Sequence, residues 1–132
     1  MYTVVPNVLG YLEKNDKILL GLRADRSSKI YRNHWDLPGG QIEPSETAEQ
    51  ALKREFLEET GLVIVRARLV DAFHNRKPDE GASGLCLLYR IEQARGTMQA
   101  SSDLQALEYF GKSGIRELQL PPWSKYFLRE YL

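Results

Sequence analysis

The sequence predicts an α/β fold in which a mixed sheet is covered by helices, and three observations support this. Short β-rich or apolar segments recur along the chain, at residues 4–12, 18–22, 35–37, 62–73, 85–91 and 107–110. One strongly patterned helical segment interrupts them at residues 47–60, and apolar residues return at helical spacing in residues 123–132. Strands in this order, with one internal and one terminal helix, are typical of a sheet with helices packed against it.

The individual strands follow from local patterns. Asn15 and Asp16 favour a turn, so the two N-terminal segments are predicted to pair as a hairpin. The short strand at 35–37 is expected to stop at Pro38-Gly39-Gly40. Residues 62–73 alternate between apolar and charged side chains, which predicts a strand with an irregularity, and the continuous apolar run at 85–91 predicts a strand buried on both faces.

The internal helix has signals at both ends. Thr47, followed three residues later by Gln50, resembles a capping box, in which each residue satisfies a backbone N–H of the other. Gly61 is a natural residue to end the helix in a left-handed conformation. Between them, apolar residues at helical spacing predict a buried side: Ala48, Ala51, Leu52 and Phe56.

Length and charge limit the classes of function. The 132 residues fit one domain, predicted to span 1–132. Eighteen basic and eighteen acidic residues give no net charge, so neither a nucleic-acid nor a membrane partner is expected. The single cysteine and the absence of a recognisable signal peptide favour a cytoplasmic protein.

A glycine–glutamate motif occupies residues 40–62. Gly40 is followed by five free positions and Glu46, and seven more lead to Arg54-Glu55-Phe56-Leu57-Glu58-Glu59-Thr60-Gly61-Leu62. Residues three and four apart share a face of a helix, so Glu55, Glu58 and Glu59 are expected to be neighbours. Carboxylates so close repel one another unless a cation compensates, and such oxygen ligands suit Mg²⁺, with Mn²⁺ as a possible substitute.

This motif matches the Nudix box at every fixed position, and residues 35–40 resemble the strand and loop that lead into that box in the Nudix hydrolase family. The resemblance implies an α/β/α sandwich with a mixed sheet between helices. It also implies Mg²⁺-dependent hydrolysis of the pyrophosphate bond in a nucleoside diphosphate linked to another moiety. Many members are dimers, so a homodimer is possible.

The resemblance also assigns expected roles to single residues. Gly40, Glu55, Glu58 and Glu59 are the expected metal ligands, and the three glutamates are the first candidates for catalysis. Glu46 and Arg54 form a structural salt bridge in the family and are predicted here to share one side of the helix, two turns apart. A carboxylate from a distant loop serves as base or extra ligand in some members, which makes Glu80 and Asp103 candidates.

The substrate remains open between two classes. Arg23 resembles the arginine that MutT-type members place near the nucleobase and, with Gly39, is expected to bind substrate. That resemblance favours a nucleoside triphosphate, cut to monophosphate and pyrophosphate. Pro78 lies sixteen residues after the box, where members specific for ADP-ribose carry a proline, and favours ADP-ribose or a similar derivative. A third alternative is a catalytically silent module that binds a small-molecule nucleotide for regulation.

Overall fold

The computed structural model describes residues 2–24, 30–76, 82–100 and 104–132, except for the side chain of Ala82. Within these residues the strands are β1 (Thr3–Tyr11), β2 (Glu13–Lys14), β3 (Lys17–Arg23), β4 (Trp35–Asp36), β5 (Gly39–Gln41), β6 (Val63–Asn75), β7 (Ala82–Arg95) and β8 (Leu104–Phe110). The helices are α1 (Ala48–Thr60), α2 (Lys112–Arg116) and α3 (Pro122–Phe127), followed by a 3-10 helix (Arg129–Tyr131). No helix in the described part of the chain is long and apolar enough to cross a bilayer.

The strands form two sheets. The first has the order β5-β1-β7-β6, and β1 runs parallel to β7 but antiparallel to β5, so the predicted mixed sheet is confirmed. The second sheet is built around β3, which pairs antiparallel with β2, β4 and β8. The irregularity predicted in residues 62–73 is present as register shifts between β6 and β7.

The predicted pairing of the first two strand segments was wrong in part. The turn lies at Asn15 and Asp16, which both have positive φ as a tight hairpin turn requires, but it joins β3 to the two-residue β2. Both edges of β1 are already occupied, by β5 and β7. The glycines predicted to end the short strand at 35–37 were expected to lie outside any strand. In the structure a new strand, β5, begins at Gly39.

Helix α1 begins and ends as its sequence predicts. The hydroxyl of Thr47 accepts a hydrogen bond from Gln50 N at 3.1 Å, and the Gln50 side chain accepts one from Thr47 N at 2.9 Å. Gly61 ends the helix in the left-handed conformation, with φ of 77°. Ala51, Leu52 and Phe56 are fully buried, so the predicted apolar side is the packed side.

Two apolar clusters lie on opposite faces of the first sheet. The α1 cluster joins the buried side of α1 to Val8 and Tyr89. The α3 cluster joins Leu9 and Leu88 to the C-terminal helices. Because neighbouring residues of one strand point to opposite faces, the sheet lies between helices, which confirms the predicted α/β fold. The predicted helix at 123–132 is instead two short elements, α3 and the 3-10 helix, and α2 was not predicted.

Candidate active site

A cavity of about 470 Å³ opens between α1, both sheets and α3. This volume falls in the range of pockets that hold nucleotide-sized ligands. One group of lining residues comes from β5 and α1, and it includes Gly39, Gly40, Glu55 and Glu59. A second group comes from β3, β4, β8 and α3: Arg23, Asp36, Leu104 and Trp123.

Glu59 is the most buried of the three box glutamates, with 8% of its surface exposed. Its Oε1 accepts a hydrogen bond of 2.8 Å from the backbone N–H of Gly39, which ties the last turn of α1 to β5. Burial raises the pKa of Glu59 to about 8, and the nearby carboxylates of Glu55 and Asp36 add to this effect. Burial also raises the pKa of Glu55, against the effect of Arg54.

The two glycines of β5 permit close approach on both sides of the strand. A Cβ atom on Gly40 would lie 2.5 Å from Cδ of Glu55 and 2.6–2.7 Å from its two carboxylate oxygens. A Cβ atom on Gly39 would collide with the backbone carbonyl of Val8 in the paired strand β1. A side chain at 39 would therefore separate two strands, whereas one at 40 would displace the Glu55 carboxylate.

Arg54 is the centre of the charged contacts around α1. Its Nε and Nη2 donate to the two carboxylate oxygens of Glu46 at 2.6 and 2.9 Å, and Nη2 also donates to the carbonyl of Gln41 at 3.1 Å. Its Nη1 donates to Glu55 at 2.8 Å and to Glu58 at 3.4 Å. The hydrogen bonds from Arg54 hold the pKa of Glu46 down at about 2.

The predicted placement of Glu46 on α1 was wrong. The helix begins at Ala48 and is capped by Thr47, so Glu46 lies in the preceding loop. The contact with Arg54 therefore closes that loop onto the helix, and it does not link two turns of one helix. The two-point geometry, with parallel N–H donors on one carboxylate, is the arrangement in which arginine binds a carboxylate most specifically.

The three box glutamates make two separate sets of contacts. Glu59 is bonded to Gly39, while Glu55 and Glu58 share Arg54, and Glu58 is 48% exposed. Among the described residues, no three His, Cys, Asp or Glu side chains are gathered closely enough to hold a cation. The donors nevertheless fit Mg²⁺ in chemical type, because they are carboxylate oxygens carried on one turn of α1.

The second group of lining residues contains a network that the sequence did not reveal. Arg23 lines the cavity as expected, and its Nη1 donates to Asp36 Oδ2 at 2.6 Å. Asp36 also accepts hydrogen bonds from the indole Nε1 of Trp123 at 3.0 Å and from Ser124 Oγ at 2.5 Å. The only sequence signal was a charged residue between Trp35 and Leu37, and its partners on α3 lie 87 and 88 positions away. Glu80, Asp103 and Pro78 lie outside the described residues.

Comparison with known proteins decides the family. A family model described as the NUDIX domain matches residues 1–131. The chain belongs to the Nudix family. Among its Nudix relatives, the CTP pyrophosphohydrolase of Escherichia coli is 31% identical over 118 residues, which are 87% of this chain and 82% of that protein.

Other Nudix proteins extend the comparison. An ADP-ribose pyrophosphatase of Methanocaldococcus jannaschii is 29% identical over 109 residues, or 83% of this chain, and the match spans only 63% of that protein. The crystal structure of a MutT NUDIX hydrolase from Burkholderia pseudomallei superposes with a TM-score of 0.84 at 22% identity, covering 96% of this chain and 97% of that one. That likeness confirms the fold.

Proposed function

We propose that this Nudix chain hydrolyses the pyrophosphate bond of a nucleoside triphosphate and releases the monophosphate and pyrophosphate. The observation that carries the proposal is the cavity wall in which Glu55 and Glu59 of α1 lie against Gly39 and Gly40 of β5. Carboxylates held beside backbone that can approach closely suit a cation-assisted attack on phosphate. Arg23 on the opposite side of the cavity supplies a positive charge for the substrate.

The proposed metal ligands are Glu55, Glu58, Glu59 and the carbonyl oxygen of Gly40, holding Mg²⁺ or Mn²⁺. Such a cation, when bound, neutralises phosphate oxygens and lowers the pKa of the attacking water. Arg54 orients Glu55 and Glu58 through Nη1, and the N–H of Gly39 orients Glu59. The general base is proposed to be one of these three glutamates.

Other expectations from the sequence stay predictions. Glu80 and Asp103 are loop alternatives for the base, and Gly39 is the second expected substrate contact. A cytoplasmic location and a homodimer are likewise predictions.

Two observations favour a nucleoside triphosphate as the substrate. Arg23 lines the cavity, and one relative is named a CTP pyrophosphohydrolase, so its substrate is a nucleoside triphosphate. ADP-ribose is the second candidate, because a relative that matches 83% of this chain is named an ADP-ribose pyrophosphatase. A direct test incubates the protein and Mg²⁺ with unmodified and oxidised nucleoside triphosphates, ADP-ribose, dinucleoside polyphosphates and nucleotide sugars. Pyrophosphate release identifies the first class, and AMP release from ADP-ribose identifies the second.

Substitution of the box glutamates tests the mechanism. Glu55→Gln and Glu58→Gln remove one charge each, and we expect turnover to fall by about 100-fold or more, the scale of losing a group that binds the metal or moves a proton. Glu49→Gln is the matched control, because Glu49 is an exposed glutamate in the first turn of the same helix. Unchanged Mg²⁺-dependent turnover in both box variants would contradict the proposal.

A regulatory module without catalysis predicts a different result from the same panel. Nucleotide with Mg²⁺ would then raise the thermal midpoint, since a ligand that binds the folded state stabilises it, but no product would be released. Neither stabilisation nor product would point to a structural interaction domain instead.

A further inference from the structure

Asp36 is a buried carboxylate that joins three elements of the fold. It lies on β4 and is 3% exposed. Its Oδ2 accepts from Arg23 on β3, and its Oδ1 accepts from Trp123 and Ser124 at the start of α3. The four residues therefore form one hydrogen-bonded group, called here the Asp36 network.

Three of the four members of the Asp36 network line the cavity, and the fourth does not. Asp36, Arg23 and Trp123 line the cavity, whereas Ser124 is fully buried and lies outside its lining. Tyr31 packs on the Trp123 ring with centroids 5.0 Å apart and planes at 75°, which restricts the ring further. A guanidinium and an indole are thus held at one end of the cavity by one carboxylate.

Stability alone does not account for the Asp36 network. Burial raises the pKa of Asp36 even though Arg23 and three hydrogen bonds favour its charged form. Nε of Arg23 is also buried without a hydrogen-bond partner in the described residues. A buried ion pair recovers its desolvation penalty only with complete hydrogen bonding, and the Asp36 network leaves one donor of Arg23 unpaired among the described residues.

We propose that Asp36 is a positioning residue that holds Arg23 and Trp123 as a pair for the nucleoside end of the substrate. This inference rests on the proposed function. The indole offers a surface for stacking on a planar base, and the exposed part of the Arg23 guanidinium, which excludes the buried Nε, offers donors to acceptor atoms of the base or its linked phosphate. The hydrogen bonds of Asp36 go to Arg23, Trp123 and Ser124 and to none of the proposed metal ligands, although its charge contributes to the raised pKa of Glu59. We therefore expect its replacement to affect substrate binding more than the chemical step.

The experiment measures kcat and KM for the best substrate of the wild-type protein, chosen from GTP, CTP and ADP-ribose. Asp36→Asn keeps the shape but removes the charge, and its amide NH₂ group must face either Arg23 or the donors of Trp123 and Ser124. We expect KM to rise by about 10-fold or more while kcat stays within about 3-fold, the scale of one charge-assisted hydrogen bond. Asp71→Asn is the matched control, because it neutralises a carboxylate that lies away from this cavity and pairs with Arg129 at 3.7 Å, and it should leave KM near its wild-type value.

Several results would overturn the inference. An unchanged KM in folded Asp36→Asn does so, as does a fall in kcat at constant KM, which would place Asp36 in the chemical step. If Asp36→Asn does not fold, Trp123→Phe serves in its place, because it keeps an aromatic ring and removes the N–H that Asp36 accepts. KM is expected to rise in that variant as well, and an unchanged KM contradicts the positioning role.

Failure of the proposed function has a separate signature. If the wild-type protein hydrolyses none of the probes, the same three nucleotides can be titrated with Mg²⁺ in a calorimeter without turnover. A dissociation constant raised about 10-fold by Asp36→Asn would then uphold the positioning role without catalysis. Equal binding by both proteins, or no binding by the wild type, would overturn it.

Discussion

At the scale of single residues, Gly40 and Glu55 compete for the same space. A Cβ atom at position 40 would meet the Glu55 carboxylate at 2.5–2.7 Å, and this carboxylate is the end of a flexible side chain. Gly40→Ala is therefore expected to fold while its Glu55 carboxylate moves away from β5. The displacement of a reacting or metal-binding group by about 1 Å costs on the order of 100-fold in rate. We expect a loss of that size in kcat/KM.

Gly111 provides the control for this prediction. It does not line the cavity, and a Cβ atom there would lie 4.0 Å from the nearest heavy atom, on Lys17, which is an ordinary contact. Gly111→Ala should keep wild-type turnover, and circular dichroism should confirm that both variants fold. Equal activity in the two alanine variants would show that the Glu55 position does not matter for the reaction.

The helical placement of the box glutamates could be predicted because the information is local. Glu55, Glu58 and Glu59 lie within one turn of α1, so their spacing in sequence determines which part of the helix carries them, and their roles as ligands stay a prediction. Asp36 could not be found in this way, because the donors that make it part of the cavity come from β3 and from α3 at the far end of the chain. Which way the Glu59 carboxylate turns depends on the Gly39 N–H, a tertiary contact absent from any helical pattern.

At the scale of elements, the start of α1 depends on an ion pair that titrates. Contact with Arg54 lowers the pKa of Glu46 from its ordinary 4.5 to about 2, so the pair adds stability above pH 4.5 and loses it as the pH falls towards 2. Glu46→Gln should therefore lower the free energy of unfolding most at pH 6, and progressively less at pH 4 and pH 3. Urea unfolding of both proteins at these three values measures the difference.

Glu43 offers a matched comparison on the same arginine. Its carboxylate lies 3.9 Å from Arg54 and is 59% exposed, so solvent screens the interaction. Glu43→Gln should change stability little at any of the three pH values. If Glu46→Gln lowers the free energy of unfolding by the same amount at all three pH values, then packing of this loop, and not its charge, stabilises the start of α1.

The elements differ in how far their own sequence determines them. Helix α1 was predicted from end to end, since its cap, its apolar side and its terminal glycine are all local signals. The strand that pairs with β1 was not predicted, because strand pairing depends on contacts between distant parts of the chain. β1 pairs with β7, more than 70 positions away. Helix α2 has five residues and α3 has six, which is too short for a helical period to be recognised.

At the scale of the molecule, the cavity lies between two apolar clusters that anchor its two sides separately. The α1 cluster holds the helix that carries the box glutamates, through fully buried residues such as Leu52. The α3 cluster holds the C-terminal segment that begins with Trp123, through residues such as Leu128. The proposed metal ligands therefore lie on a helix that packs into the α1 cluster, and Trp123, one of the two proposed nucleoside contacts, packs against the α3 cluster.

This division predicts that the same substitution at a buried leucine in each cluster affects a different kinetic constant. Leu52→Ala and Leu128→Ala each leave a cavity at a fully buried site and should cost about 2–5 kcal/mol of stability. At temperatures below the thermal midpoint of either variant, Leu52→Ala should raise the Mg²⁺ concentration needed for half-maximal turnover, because α1 then packs less tightly on the sheet. Leu128→Ala should instead raise KM for the nucleotide, through Trp123. Steady-state kinetics with Mg²⁺ and nucleotide varied independently separates the two effects, and a rise in both constants in both variants would mean that the two clusters act on the cavity as one rigid body.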